Sequence, residues 1–327
     1  MSAPPELLYD PRMLRIGLLG AGSHALTHHA PALRHCVDDP EFAGRVELLV
    51  VCDADAARAR ALAGQFSFGG VYDSVDALVA AVDAVVSVLP AAALAASLEP
   101  ILRHDRPVAI EKPLGSNLAD TDRIARLLTG RPHMVSLNRR FDPAVRLARD
   151  WIQGRPPLRA IHGLMARHNR LEPDFVWSTG IHLADLMCFL AGPLRLLSGS
   201  TTTGGGAGRV GVLSGEGGVR GTVQFLPACG RVEEAVQLTG DGWFAEVATG
   251  TRHPWRVRCW SAGPIEVDAA AEADAPEFLR SGTRDETAAF LRALLGGQSL
   301  PGPTVDDARP GTELTAALQR LAPASGQ

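Results

Sequence analysis

The chain's one lysine, Lys112, sits in the stretch "VAIEKPLG" (108–115), and the other 31 of its 32 basic residues are arginines. An ammonium is a compact donor whose pKa falls on burial, so it can hydrogen-bond a reacting oxygen or exchange a proton. A guanidinium stays protonated and is planar and bulkier. In a chain this rich in arginine, a plain surface cation at a strand end would itself be arginine, so Lys112 is the first candidate for chemistry. His182 is the second. It lies in "WSTGIHLADLMCFLAG" (177–192), where Ser178, Ile181, His182 and Asp185 fall at i, i+3, i+4 and i+7. A regular helix places these four on one face. An imidazole titrates near neutrality and suits general acid–base work. Ser178 would serve there as a hydroxyl relay and Asp185 as an orienting acid. Helix pattern alone favours a satisfied histidine at a domain boundary, and Asp185 reads equally well as the ion-pair partner of an arginine.

A third group spells a phosphate site. "GLLGAGSHA" places Gly20-x-Gly22-x-x-Ala25 between an apolar run (14–20) and a helical stretch (23–36), and Asp53 closes a second apolar run (45–53). Gly20 permits the tight turn, Gly22 lets backbone approach a pyrophosphate, and Ala25 takes the third position. The helix start at Ser23 and His24 offers free N–H groups and the positive end of a dipole. A carboxylate at Asp53 accepts ribose hydroxyls and repels a 2′-phosphate, which points to NAD, with NADP as the other candidate. Arg58 and Arg60 follow one or two turns on. Leu89, Pro90, Glu111, Lys112 and Arg140 complete the expected cofactor contacts.

These residues need a frame. Apolar runs at 14–20, 45–53, 71–73, 83–90, 107–113 and 133–138 alternate with helical stretches at 23–36, 54–66, 74–81, 91–104 and 118–130. That alternation predicts a doubly wound parallel sheet, with Lys112 at a strand's carboxyl end where such sheets hold ligands. The pattern then changes. A helix (143–154), a strand (159–169) and the helix of His182, closed by Gly192 and Pro193, precede a glycine-rich region of short β-like runs (194–268), read as an antiparallel sheet. Helices follow at 285–297 and 311–322. The expected division is a disordered tail (1–13), a dinucleotide-binding Rossmann domain (14–138) and a substrate-binding and oligomerisation α/β domain (139–327). "TTTGGGAG" (201–208) is read as a loop.

Composition narrows the class. Hydrophobic residues make up 46% of the chain, enough for a sizeable core, and the net charge of −4 gives no footprint for nucleic acid or a membrane surface. Five scattered cysteines form no C-x-x-C pair, which argues against a disulfide framework or structural zinc and for a reducing, cytoplasmic location. The N-terminus has no apolar signal segment. His28, His29 and His35 cluster on the first helix without acidic or cysteine partners in ligand register, so no metal is assigned. Arg139 and Arg140, then Arg167, His168, Asn169 and Arg170, are candidates for binding a carboxylate or phosphate, although surface and interdomain ion pairs are the commoner use of such residues.

Taken in order, "IGLLGAGSHALTHH", "VVCDAD", "DAVVSVLP", "AIEKPLG", "NRRFDP", "TGIHLADLMCFLAG" and "DETAAFLRALLGG" resemble the glucose–fructose oxidoreductase/inositol dehydrogenase family across nearly the whole chain. The resemblance implies a Rossmann domain followed by a large, mostly antiparallel open sheet that pairs copies into homodimers or homotetramers. It implies Lys112 as the active-site lysine, a Lys112–Pro113 bond that is often cis, Glu111 and Pro113 shaping that loop, and His182 facing the nicotinamide. Asp185 matches the family's acid three residues later. Two departures stand out. Ser178 occupies the position where many members carry Asp, and "PAAALAA" (90–96) lacks the family's frequent Asn and His.

The expected function is NAD(P)-dependent hydride transfer between nicotinamide and a secondary alcohol or ketone of a sugar, aminosugar or cyclitol, with Lys112 and His182 in proton transfer. The partner is then a small, carbohydrate-like molecule. Two other readings use the same fold: NAD-dependent glycoside cleavage, and a non-catalytic cofactor-binding sensor.

Overall fold

In the computed structural model, residues 13–202 and 208–321 are described. All of the expected tail but Met13, and residues 203–207 of the expected loop, lie outside them.

Six strands form the first sheet: β1 (Leu14–Leu19), β2 (Val46–Cys52), β3 (Gly70–Tyr72), β4 (Ala84–Ser87), β5 (Val108–Glu111) and β6 (His133–Ser136). Their order is β3-β2-β1-β4-β5-β6 and every pairing is parallel. This is the doubly wound dinucleotide-binding order, with its switch point beside β1 and β4. β4 and β5 are buried throughout, as strands covered on both faces must be. The covering helices are α1 (Ala30–Asp38), α2 (Ala56–Phe66), α3 (Val75–Ala81), α4 (Ala91–Arg103) and α5 (Leu118–Leu128). Side-chain caps start three of them. Asp55 accepts from the N–H groups of Ala57 and Arg58, Ser74 from Ala77 and Asn117 from Asp120.

After α6 (Pro143–Ile152) comes β7 (Leu158–Ala166), then α7 (Ile181–Ala191) and seven more strands: β8 (Leu194–Thr201), β9 (Arg209–Gly215), β10 (Arg220–Leu226), β11 (Glu233–Gly240), β12 (Trp243–Ala248), β13 (Arg256–Ser261) and β14 (Ile265–Ala270). Together with β7 they form an eight-stranded sheet in the order β14-β13-β12-β11-β7-β10-β9-β8. It is antiparallel except where β10 runs parallel to β7. Burial alternates along β11 and β12, so one face packs and the other meets solvent. The packed face holds Ile161, Met165, Val223, Phe225, Val236 and Leu238 against Leu183 and Met187 of α7.

The chain ends with α8 (Glu277–Arg280), α9 (Thr283–Leu295) and α10 (Val305–Gln319). These return to the parallel sheet. Phe290 and Leu291 join the core beside α1, while Val305 and Ala308 join the core on the other face.

Two expectations are corrected. The regular helix over 177–192 begins instead as a π-turn, Val176–Gly180, before becoming α7. The last helix starts at Val305, not 311. Thr304 and Asp307 build a reciprocal capping box that starts the helix ahead of Pro310.

Candidate active site

The loop after β1 fits a dinucleotide. Gly20 has φ +97°, and a Cβ there would meet the Val88 carbonyl oxygen at 2.4 Å, so the turn admits only glycine. At Gly22 the space an added Cβ would enter is open to 4 Å, leaving backbone accessible to a phosphate. A groove of about 620 Å³ runs from here, lined by Gly20, Gly22, Ser23, His24, Asp53, Leu89, Pro90, Glu111, Lys112 and Ser178. Ala25 lies buried behind it in a second π-turn, Ala25–His29. Such turns recur at functional sites, and here one from each half of the chain flanks the groove.

Asp53 is anchored before any ligand arrives. Its carboxylate accepts from the Ala21 N–H at 2.6 Å, the Asp55 N–H at 2.8 Å and the Arg58 guanidinium at 2.8 Å. Burial opposes its ionisation, but the bonds from Arg58 and the two N–H groups outweigh that and hold the carboxyl below its ordinary range. The side-chain cap of α2 is Asp55, and Asp53, just past the end of β2, lines the groove.

Lys112 follows the last residue of β5, and its bond to Pro113 is cis. Its Nζ donates to the Ser178 carbonyl oxygen at 3.1 Å. Burial lowers its pKa, Glu111 opposes that fall, and Arg139 and Arg170 add to it. Glu111 is buried, with Oε1 2.6 Å from His29 Nε2 and 3.2 Å from His24 Nε2. Burial disfavours its charge, yet the two imidazoles hold it well below the usual carboxylate range. The first-helix histidines thus find an acidic partner that local spacing concealed, because it comes from β5. His24, His29 and Glu111 bring three donor atoms within 4.8 Å of one another, a set that could hold a metal ion.

A second, larger cleft of about 1270 Å³ opens beside the groove, and Ser23, His24, Lys112 and Ser178 line both. His182 lines only this cleft. Burial, then the cations of Lys112 and Arg139, drives its pKa well below the ordinary value, so the ring is neutral at pH 7. His182 Nδ1 and Ser178 Oγ are buried and have no hydrogen-bond partner among the described residues. Buried polar atoms are normally paired, and these two are exceptions on residues that line the cleft.

Asp185 and Arg140 lie elsewhere. The π-turn and the packing of α7 direct Asp185 away from the cleft, onto Arg140 in a two-pronged pair at 2.7 and 2.9 Å. Arg140 also donates to the Asp307 carbonyl oxygen at 2.7 Å. A Cβ at Gly311 would reach the Asp185 Cα at 2.6 Å, so the pair sits where α10 presses on α7.

Sequence reasoning missed Trp177 and Glu234. Trp177 lines the groove, and its Nε1–H donates to the Gly115 carbonyl oxygen at 3.0 Å, tying the π-turn to the loop after Lys112. Glu234 is fully buried between Arg139 and Arg167, with burial raising its pKa but the two guanidiniums holding it down at about 2. Its signal was present, since two-residue alternation puts Glu234 on the same face as Val236 and Leu238.

Residues 14–139 match the profile of the Gfo/Idh/MocA oxidoreductase family, NAD-binding Rossmann fold. The uncharacterized protein YMR315W of Saccharomyces cerevisiae is 26% identical over 166 residues, covering 49% of this chain and 44% of that protein. The match thus spans less than half the length of that curated relative. A dehydrogenase (MviM) from Clostridium difficile superposes with a TM-score of 0.79 at 16% identity, over 93% of this chain and 98% of the other. The UDP-N-acetylglucosamine 3-dehydrogenase GnnA from Acidithiobacillus ferrooxidans superposes with a TM-score of 0.73 at 20% identity, over 94% and 96%. At these identities the superpositions show a shared fold. No helix among the described residues is long and apolar enough to cross a membrane.

Proposed function

We propose that the chain, whose residues 14–139 match the Gfo/Idh/MocA oxidoreductases with their NAD-binding Rossmann fold, oxidises or reduces a secondary alcohol or ketone of a sugar, aminosugar or cyclitol. The observation that carries this reading is the convergence of groove and cleft on Lys112, Ser178 and His24. When bound, the cofactor takes up or delivers a hydride at the nicotinamide. The chain must supply the binding, the orientation and the proton.

The glycine turn, Ser23 and Asp53 hold the dinucleotide, with Asp53 favouring NAD over NADP. Lys112 Nζ, fixed by the Ser178 carbonyl, retains donors for the reacting oxygen. Its lowered pKa eases proton exchange. Neutral His182 accepts the proton in oxidation and returns it in reduction; the Ser178 hydroxyl, expected as a relay, bonds neither Lys112 nor His182. Asp185 and Arg140 hold α7 in place and touch neither cavity. That a structural relative is a UDP-N-acetylglucosamine dehydrogenase favours a carbohydrate substrate.

Residues 14–138 form the proposed dinucleotide-binding unit, onto which α9 and α10 of the second unit pack back. Two copies would pair through the solvent face of the eight-stranded sheet, where Leu197 and Val212 are exposed. A panel of sugars, aminosugars and cyclitols incubated with NAD, or of ketosugars with NADH, is expected to give a reversible absorbance change at the reduced-nicotinamide band. Tight NAD retention with release of an aglycone and no net redox change would instead favour glycoside cleavage.

A further inference from the structure

Resting on that carbohydrate reading, we propose that the substrate carries an oxyanion, a carboxylate or a phosphate, bound by the arginines of the large cleft beside Lys112 and His182. Six cationic side chains line this cleft: Lys112, Arg139, Arg167, Arg170, Arg231 and Arg252. The single carboxylate on the wall is Glu277, which faces His28 Nε2 at 3.6 Å. This concentration occurs in a chain whose net charge is −4.

The floor shows that the excess is built in and is more than surface arginine. Arg139 and Arg167 are 7% and 8% exposed, and both are served by one carboxylate, Glu234. Two buried guanidiniums on one carboxylate leave a positive charge uncompensated, and buried ions persist only when paired. The next acid, Asp142, accepts from the N–H groups of Ala144 and Gly250, and burial pushes its pKa up to about 7, so it offsets that charge weakly. Arg167 is lowered by burial and by Arg139 and Arg170 against the pull of Glu234, whereas for Arg139 burial is outweighed by Glu234, Asp142 and Glu277, which raise it, so the shortfall of negative charge falls on Arg167.

The rim continues the pattern. Arg170 and Arg231 pair with Glu172 and Glu233, whose carboxylates lie off the cleft wall. Arg252 makes no hydrogen bond or ion pair with any described residue. His168 lines the cleft too and bonds the Cys229 carbonyl through Nδ1. Guanidiniums bind planar or tetrahedral oxyanions through parallel N–H bonds, and an anion here completes the charge balance of the floor.

The test is calorimetric titration of the NADH-loaded full chain with glucose, glucuronate, glucose 6-phosphate and UDP-glucose, in the wild type and in an Arg231→Gln/Arg252→Gln variant whose fold is checked by circular dichroism. At least one anionic sugar is expected to bind about tenfold more tightly than glucose, and to lose most of that advantage in the variant and at high salt. Preference for glucuronate or for the phosphates identifies the source of the charge. Equal binding of glucose and all three anions, an advantage untouched by the double substitution, or no anionic binding at millimolar concentration would overturn the proposal. Parallel absorbance assays of the same sugars with NAD, the hydride acceptor that alcohol-level substrates require, separate the two claims. Anion binding without redox change refutes the oxidoreductase reading alone, and turnover of a neutral sugar with no anion preference refutes this inference alone.

Discussion

Lys112 Nζ donates to the carbonyl oxygen of Ser178 across 3.1 Å, joining the carboxyl end of β5 to the π-turn ahead of α7. One bond thus fixes the chain's single lysine against the segment that carries Ser178 and His182. It leaves Ser178 Oγ and His182 Nδ1 unpaired in the cleft wall. Unpaired buried polar atoms cost about 1–3 kcal/mol each, a cost recovered if a ligand bonds them.

His182 is expected to stay neutral throughout the working range. Burial and the nearby Lys112 and Arg139 hold its pKa well below the ordinary histidine value. The acid limb of kcat/KM therefore falls below pH ~6.5. His182→Asn is expected to lower kcat by about a hundredfold. An acid limb centred near pH ~7 and abolished by His182→Asn would show instead that the ring titrates at its ordinary value.

Asp53 is expected to set cofactor choice. Wild type should use NAD in preference to NADP. Asp53→Ala frees Arg58 from its 2.8 Å bond and should shift the ratio of kcat/KM values toward NADP by about tenfold or more. An unchanged ratio would remove Asp53 from the ribose site.

Asp185 is expected to matter for stability and little for chemistry. It is 1% exposed and pairs with the partly buried Arg140, so Asp185→Ala leaves that guanidinium with only the Asp307 carbonyl and should cost about 1–3 kcal/mol in urea unfolding. Turnover per folded molecule should stay within a few-fold. A large loss of kcat at unchanged stability would return Asp185 to the reaction.

Glu286 should make stability fall as pH rises. Burial raises its pKa to about 8 from an ordinary 4.5, although Ser136 Oγ donates to it at 2.7 Å. The folded chain therefore holds a proton that the unfolded chain releases, and folding loses free energy between these two values as pH climbs. Glu286→Gln keeps the shape without the charge. Its Tm should exceed wild type by about 4 °C or more at pH 8 and match it near pH 5. Parallel Tm curves for the two proteins across that range would contradict the shift.

The sequence displayed the frame well, because parallel strands buried on both faces read as apolar runs and a glycine turn reads as itself. Lys112 was legible because composition isolated it. Long-range pairings were not. Glu111 meets His29 from 82 residues away, and Ser136 meets Glu286 across 150. No local spacing encodes such contacts. The π-turn at Val176–Gly180 was hidden for a different reason, since its apolar periodicity is that of an ordinary helix, and the extra residue per turn separates Asp185 from the face expected for Ser178. Pro310 concealed the start of α10 because a proline in a helix is costly, and the Thr304 capping box that offsets it lies six residues upstream.

The most direct test is turnover by Lys112→Ala and Lys112→Arg with the sugar identified by the absorbance screen, alongside NADH binding by fluorescence. Both variants are expected to bind NADH within a few-fold of wild type and to lose about 10²–10⁴ in kcat, the arginine form included, because a guanidinium keeps the charge and cannot exchange the proton. Full activity in either variant would contradict the role assigned to the chain's only lysine.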